Sequence, residues 1–285
     1  MRGRLAGSIG ALLAYAANSI TPQLVADFKE GVYGKNSGLS TFGDVLNHTR
    51  NGNATMVNAD GLLKWAPHNL VRYSSDFTNS AWFVYGTGDR IVNVTSNFAI
   101  APDGTQTADK LSNAGQENSV AQVGFLEDNQ TKAIWARTIS GTGTVGLLSF
   151  HSELGAVVTL TEDWQLFTRS SDIAETSGDT FYAVDFRSGT LTEVLLWGAH
   201  AYRSDLGGMV NNPATGNSYV PTTDAARYLP RENHHVYNGT TWVKEGYLHE
   251  HEAATNLSPY SNDFSQWSEP TMATSGQANS LTGEA

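Results

Sequence analysis

The phrase NLVRYSSDF (Asn69 to Phe77) returns as NLSPYSNDF (Asn256 to Phe264), 187 positions later. Asn69/Asn256, Leu70/Leu257, Tyr73/Tyr260, Ser74/Ser261, Asp76/Asp263 and Phe77/Phe264 are identical, and a tryptophan follows each copy, Trp82 and Trp267. A fixed offset of this size is the mark of a repeated structural unit. The stretch between the copies is long enough to bury its own core, so the chain reads as modular. The second copy announces another module, of which only the first part, 256–285, is present.

Composition narrows what such a module can be. The 285 residues contain no cysteine, which removes disulfides, cysteine-based zinc sites and thiol nucleophiles together. Lysine and arginine number 17 against 28 aspartates and glutamates, a net charge of -11 that disfavours nucleic acid and anionic membranes as partners. Glycine, threonine, serine and asparagine are abundant, favouring short strands joined by turns.

The first twenty residues depart from this pattern. Leu5, Ile9, Leu12, Leu13, Ala16 and Ile20 fall at helical spacing, and Thr21-Pro22 stops the run. Arg2, Arg4 and Ala14-Tyr15-Ala16 also match a secretory leader. The run is short for a membrane span and contains Ser8, Asn18 and Ser19. The expectation taken forward is a retained anchor or oligomerisation helix over 1–20. A helix with one apolar stripe is marginal alone and needs a surface to cover it.

Residues 21–68 read as a connecting region with isolated apolar anchors, Phe28, Tyr33 and Phe42, and little core of its own. Within it Thr55, Val57 and Ala59 alternate with polar neighbours before Asp60-Gly61, which predicts a small β-hairpin. From 69 to 223 apolar or alternating runs recur at Arg90 to Val94, Val120 to Phe125, Ala133 to Ile139, Gly143 to Phe150, Ala156 to Leu160, Trp164 to Thr168, Thr180 to Phe186 and Glu193 to Tyr202. Turn residues such as Pro102-Asp103-Gly104 and Ser140-Gly141 separate many of them. The expected fold is mainly β: a jelly-roll-like antiparallel β-sandwich over 69–223, preceded by the helix and the hairpin region. A linker and second lead-in over 224–255 then precede the incomplete repeat.

The order of motifs carries a family resemblance. NLVRYSSDF, Trp82, APDGTQTADKL (Ala101 to Leu111), AIWARTISGTGTVGL (Ala133 to Leu147), TEDWQLFT (Thr161 to Thr168), LLWGAHAYRSD (Leu195 to Asp205) and NSYVPTT (Asn217 to Thr223) follow one another. This succession resembles the carbohydrate-binding-module-like sandwich repeated in bacteriophage tail fibres and other virion structural proteins. GYLHEHEAATNL (Gly246 to Leu257) resembles the lead-in placed before such sandwiches, although Tyr247-Leu248-His249-Glu250-His251 carries histidines where a hydrophobic-acidic phrase is usual. The resemblance implies a virion location and a structural component, in first place the virion-proximal part of a tail fibre that contributes to host attachment. It also implies a homo-oligomer, a trimer, joined to other tail or head proteins, with host-surface glycan as a further partner. Continuation of the chain beyond Ala285 is expected on the same ground. A head fibre or capsid decoration, a secreted carbohydrate-binding module, and the non-catalytic part of a polysaccharide depolymerase are the alternatives.

No catalytic constellation is legible. There is no G-x-S-x-G elbow and no phosphate loop in a strand-loop-helix setting, and Glu162-Asp163 falls in a turn with no opposing carboxylate. The chain is therefore expected not to be an enzyme and to carry no cofactor. His249 and His251, two apart, are weak metal candidates, because such a pair lacks the ligand count of a site. Glycan binding needs exposed rings beside hydrogen-bonding groups. Tyr85, Tyr202 and Trp242 are the candidates for this role, while Trp135, Trp164 and Trp197 are expected in the core.

Overall fold

A computed structural model describes residues 24–36, 38–86, 91–123, 129–148, 156–171, 180–211 and 219–249. The expected helix over 1–20, with Leu5, Ile9, Leu12, Leu13, Ala16 and Ile20, lies outside these residues, as do His251 and the second copy of the repeated phrase. The chain up to Leu248 forms one compact unit, and 249–285 forms another.

The lead-in is more ordered than its sequence suggests. Strands β1 (Leu24–Asp27), β2 (Val32–Lys35) and β3 (Gly38–Ser40) make a three-stranded antiparallel sheet, followed by a single helical turn, α1 (Phe42–Val45). The supposed isolated anchors meet: Tyr33 and Phe42 are 5.5 Å apart edge to face, and Phe28 and Tyr247 add rings at 6.0 Å from Tyr33 and 5.2 Å from Phe42. Residues distant in sequence thus build a small aromatic core, which no local pattern in 21–68 could show. The predicted hairpin is present as β4 (Thr55–Val57) and β5 (Leu63–Trp65), turning through Asp60-Gly61. Strand β6 (His68–Asn69) leads into the sandwich.

Ten strands build the sandwich: β7 (Phe83–Gly86), β8 (Asn93–Ala99), β9 (Ala108–Ser112), β10 (Asn118–Val123), β11 (Gln130–Arg137), β12 (Gly143–Leu147), β13 (Ala156–Leu160), β14 (Gln165–Ser171), β15 (Thr180–Gly189) and β16 (Glu193–Arg203). One sheet runs β13-β12-β15-β10-β7 and the other β14-β11-β16-β9-β8, with every pairing antiparallel. From β9 to β16 the strands fall in the two sheets in jelly-roll order, and β7 and β8 extend one edge of each. Strands β17 (Arg227–Tyr228), β18 (His234–Tyr237) and β19 (Trp242–Gly246) follow; β17 pairs with β6, and β18 with β19.

The inward face of each strand supplies the core. Val120, Val145, Leu147, Phe181 and Phe186 from one sheet meet Leu111, Ile134, Val194 and Leu196 from the other, all nearly inaccessible to solvent. Burying each such side chain contributes about 1.5–3 kcal/mol. Leu70, Phe77 and Trp82 complete this core, with Phe77 and Trp82 rings 4.8 Å apart.

The repeated phrase is the clasp of the sandwich. Asn69 is wholly buried; its Nδ2 donates to the carbonyls of Ala199 (3.0 Å) and Val220 (2.9 Å), and its Oδ1 accepts from the amides of Val71 (3.0 Å) and Ala201 (3.1 Å). Ser74 bonds Tyr219 and Thr222, the Tyr73 carbonyl accepts the Trp82 indole N–H, and Asp76 closes a local turn on Thr78. Asp109 accepts the amides of Phe77 (3.0 Å) and Asn97 (2.8 Å); burial pushes its carboxyl pKa upward. The identities shared by the two copies therefore coincide with positions that close the fold.

Candidate functional site

Outward residues of a sheet alternate with the inward ones, so the strand register fixes which side chains share the solvent face. Across β7, β10 and β15, Tyr85 is opposite Ser119, which is opposite Asp185, and Phe83 is opposite Ala121, which is opposite Tyr182. The middle strand therefore presents only small groups. Rings from both sides meet above it: Phe83 and Tyr85 centroids are 6.5 Å apart, and Tyr85 and Tyr182 6.1 Å. Phe83 remains 44% exposed and Tyr85 is half-buried, while Tyr182 forms the floor at 7%. Burial holds the Tyr182 hydroxyl protonated, its pKa raised, so it is kept as a hydrogen-bonding group.

A charged pair borders the rings. Asp185 Oδ1 accepts from Arg187 Nε (2.9 Å) and Oδ2 accepts from Nη2 (2.7 Å), and Oδ1 also takes the Arg187 amide (3.0 Å). The carboxylate is wholly buried and raises the arginine's pKa through these bonds. Gly146 stands opposite Asp185 on β12, where a β-carbon would come within 3.0 Å of the aspartate's own. The missing side chain makes room for the pair. Chemically the face offers flat apolar rings, a phenolic hydroxyl and a planar guanidinium–carboxylate array, the set that recognises C–H faces and hydroxyl edges of a sugar.

The other solvent face is closed. Trp135 and Trp197 are cross-strand neighbours on β11 and β16, and Tyr219 packs on Trp197 at 4.5 Å. Trp197 is buried and donates to Thr107 Oγ1 at 3.0 Å; Trp135 and Trp164 are half-buried, and the Arg137 guanidinium lies 5.2 Å from the Trp164 ring. These three tryptophans form a second cluster outside the sheet, separate from the main core where they were expected.

The candidates from sequence separate accordingly. Tyr85 lies on the ring shelf. Tyr202 does not belong to any exposed site: it is 6% exposed, packed 5.5 Å from His200, and burial raises its pKa. Its place near the end of β16 suggested exposure, but the strand is central and its outer face is covered. Trp242 is 37% exposed, 5.5 Å from Tyr237 on the β18–β19 hairpin and remote in sequence from the shelf strands. His249 is exposed. Among the described residues no group of three or more His, Cys, Asp or Glu is placed to hold a metal ion, and no helix is long and apolar enough to cross a membrane. Phe83, Tyr182, Asp185 and Arg187 went unrecognised in the sequence; the alternation Phe83-Val84-Tyr85 was the available signal.

Two buried histidines join the lead-in to the sandwich. His200 Nε2 bonds the His68 carbonyl at 2.7 Å, and His68 Nε2 accepts the Arg203 amide at 3.0 Å. Burial lowers both pKa values to about 4, so both rings are neutral near pH 7. A cleft of about 670 Å³ lies between the lead-in sheet and residues 226–232, lined among others by Tyr33, Phe42, His48, Arg50 and Glu232. Tyr33 donates to Glu232 at 2.9 Å across it.

No protein-family model and no curated protein matches the chain. Solved structures similar to it include a family 4 carbohydrate-binding module (18% identity, 46% of this chain and 92% of that one, TM-score 0.29). A family 11 carbohydrate-binding module from Clostridium thermocellum, in complex with a mixed-linked tetrasaccharide, is similar at 8% identity (51% and 98% covered, TM-score 0.28). The enzymatically active domain of bacteriophage CBA120 tailspike protein 4 is similar at 14% identity (50% and 22% covered, TM-score 0.32).

Proposed function

We propose that this chain is a non-catalytic part of a bacteriophage attachment fibre, whose sandwich holds host-surface glycan on the Phe83–Tyr85–Tyr182 shelf. The observation that carries the glycan reading is the open sheet face, where two accessible rings lean across Ser119 and Ala121 towards Tyr182 beside the Asp185–Arg187 pair. Solvent-facing rings of this size are otherwise an unfavourable exposure, and stacking on a sugar relieves it. The virion reading is supported by the repeated clasp phrase and the order of motifs around it. In this reading a homotrimer, joined to other tail proteins through the lead-in and residues 1–20, projects its sandwiches towards the host.

The purified chain should bind host cells and compete with phage adsorption, and Phe83→Ala with Tyr85→Ala should abolish both while leaving the circular dichroism unchanged. Full binding by the double variant removes the glycan site. Antibody to the chain that fails to decorate intact particles removes the virion location.

A further inference from the structure

The hairpins ahead of the two phrase copies are built alike. In the first, Asn58 Oδ1 accepts the amides of Asp60 (3.0 Å) and Leu62 (2.9 Å); in the second, Asn238 Oδ1 accepts those of Thr240 (3.0 Å) and Thr241 (2.9 Å). Each turn contains a glycine at positive φ, Gly61 at 79° and Gly239 at 95°, and a large apolar residue ends or follows it, Leu62 or Trp242. Within the chain one hairpin packs on the other. The Val57 amide donates to His234 Nδ1 at 3.1 Å, and the Trp242 indole occupies the space where a β-carbon at Gly61 would stand. The apolar residue behind one turn thus covers the glycine turn of its counterpart.

The corresponding surfaces at the two ends of this pair are open. Nothing lies within 4 Å of the position a β-carbon at Gly239 would take. Leu62 is 56% exposed, Leu63 48% and Tyr237 56%. We propose that a second copy of this chain repeats the contact, seating its Leu62 on the Asn238–Gly239 turn beside Tyr237. The two patches differ, so the association is head to tail and either closes into a ring or extends as a stack. Leucine replaces the larger indole, which makes the contact between copies weaker than the one within the chain and dependent on concentration. Each copy carries a net charge of -11, so added salt strengthens the association by screening repulsion.

The absence of cysteine gives a direct test. Leu62→Cys and Thr240→Cys, both at exposed positions, are made as separate full-length proteins, checked by circular dichroism and mixed under mild oxidation. The mixture should give a cross-linked dimer in several-fold excess over either protein alone. Sedimentation of the unsubstituted chain should show a mass that rises with concentration, and Leu62→Glu should reduce it. No excess of the mixed dimer overturns the proposal. So does an unchanged mass for Leu62→Glu, which would assign association to another surface, or a monomer at every concentration.

Discussion

Replacing Asn69 by alanine should be among the most damaging substitutions in the sandwich. Its carboxamide satisfies four backbone groups, the carbonyls of Ala199 and Val220 and the amides of Val71 and Ala201, at 2.9–3.1 Å and with no solvent exposure. A buried polar group that loses its partner costs about 1–3 kcal/mol. Four such losses would exceed ~4 kcal/mol, but the vacated carboxamide volume is polar and can admit a water that restores some of the bonds. The net expectation is a loss of about 2–5 kcal/mol, or roughly 5–20 °C in Tm for a unit of this size. Asn69→Asp should do comparable harm, because a carboxylate would face two carbonyl oxygens. Urea unfolding followed by tryptophan fluorescence measures the change. A loss below ~1 kcal/mol for Asn69→Ala would refute the claim that the repeated phrase is conserved within the chain as a clasp.

Other outcomes follow from the same contacts. The folded-state pKa values of His68 and His200, about 4, lie below the unfolded value near 6.5, so the unfolded chain binds more protons between those limits. Stability should be full above pH 6.5 and fall as pH drops towards 4, by on the order of 3 kcal/mol per histidine; thermal melts across this range should show His200→Leu with a shallower slope. Gly61→Val should lower stability by roughly 1–3 kcal/mol, since φ is 79° and the side chain would displace the Trp242 indole; an unchanged melt would count against the hairpin pairing. Asp185→Ala should free the Arg187 guanidinium and weaken glycan binding about tenfold in a retention assay, with equal retention refuting a role for the pair at the site.

The strands of the sandwich were legible where one face is apolar and the other polar. Ala156–Leu160 was read to the residue, and β10 to β16 were all anticipated within a few positions. Strand β9 was missed because its polar Asp109 faces inward, buried against the amides of Phe77 and Asn97, which disguises the alternation. Strands β1 to β3 escaped because they are short and their partners, Phe42 and Tyr247, lie elsewhere in sequence. The shelf was half legible. Tyr85 was singled out by type and position, but its meeting with Tyr182 depends on Ser119 and Ala121 lying between them, which only the pairing of β7, β10 and β15 reveals. Tyr202 failed as a candidate for a related reason: closeness to a strand end does not uncover a residue on a central strand.

The central claim is that the ring shelf binds host glycan. Isothermal titration of surface polysaccharide, extracted from the host, against the full chain and against Phe83→Ala and Tyr85→Ala tests it most directly. The account predicts saturable binding with a negative heat-capacity change, and a loss on the order of tenfold in affinity for each ring removed. Equal affinity for all three proteins, or no binding by the unsubstituted chain, would contradict it.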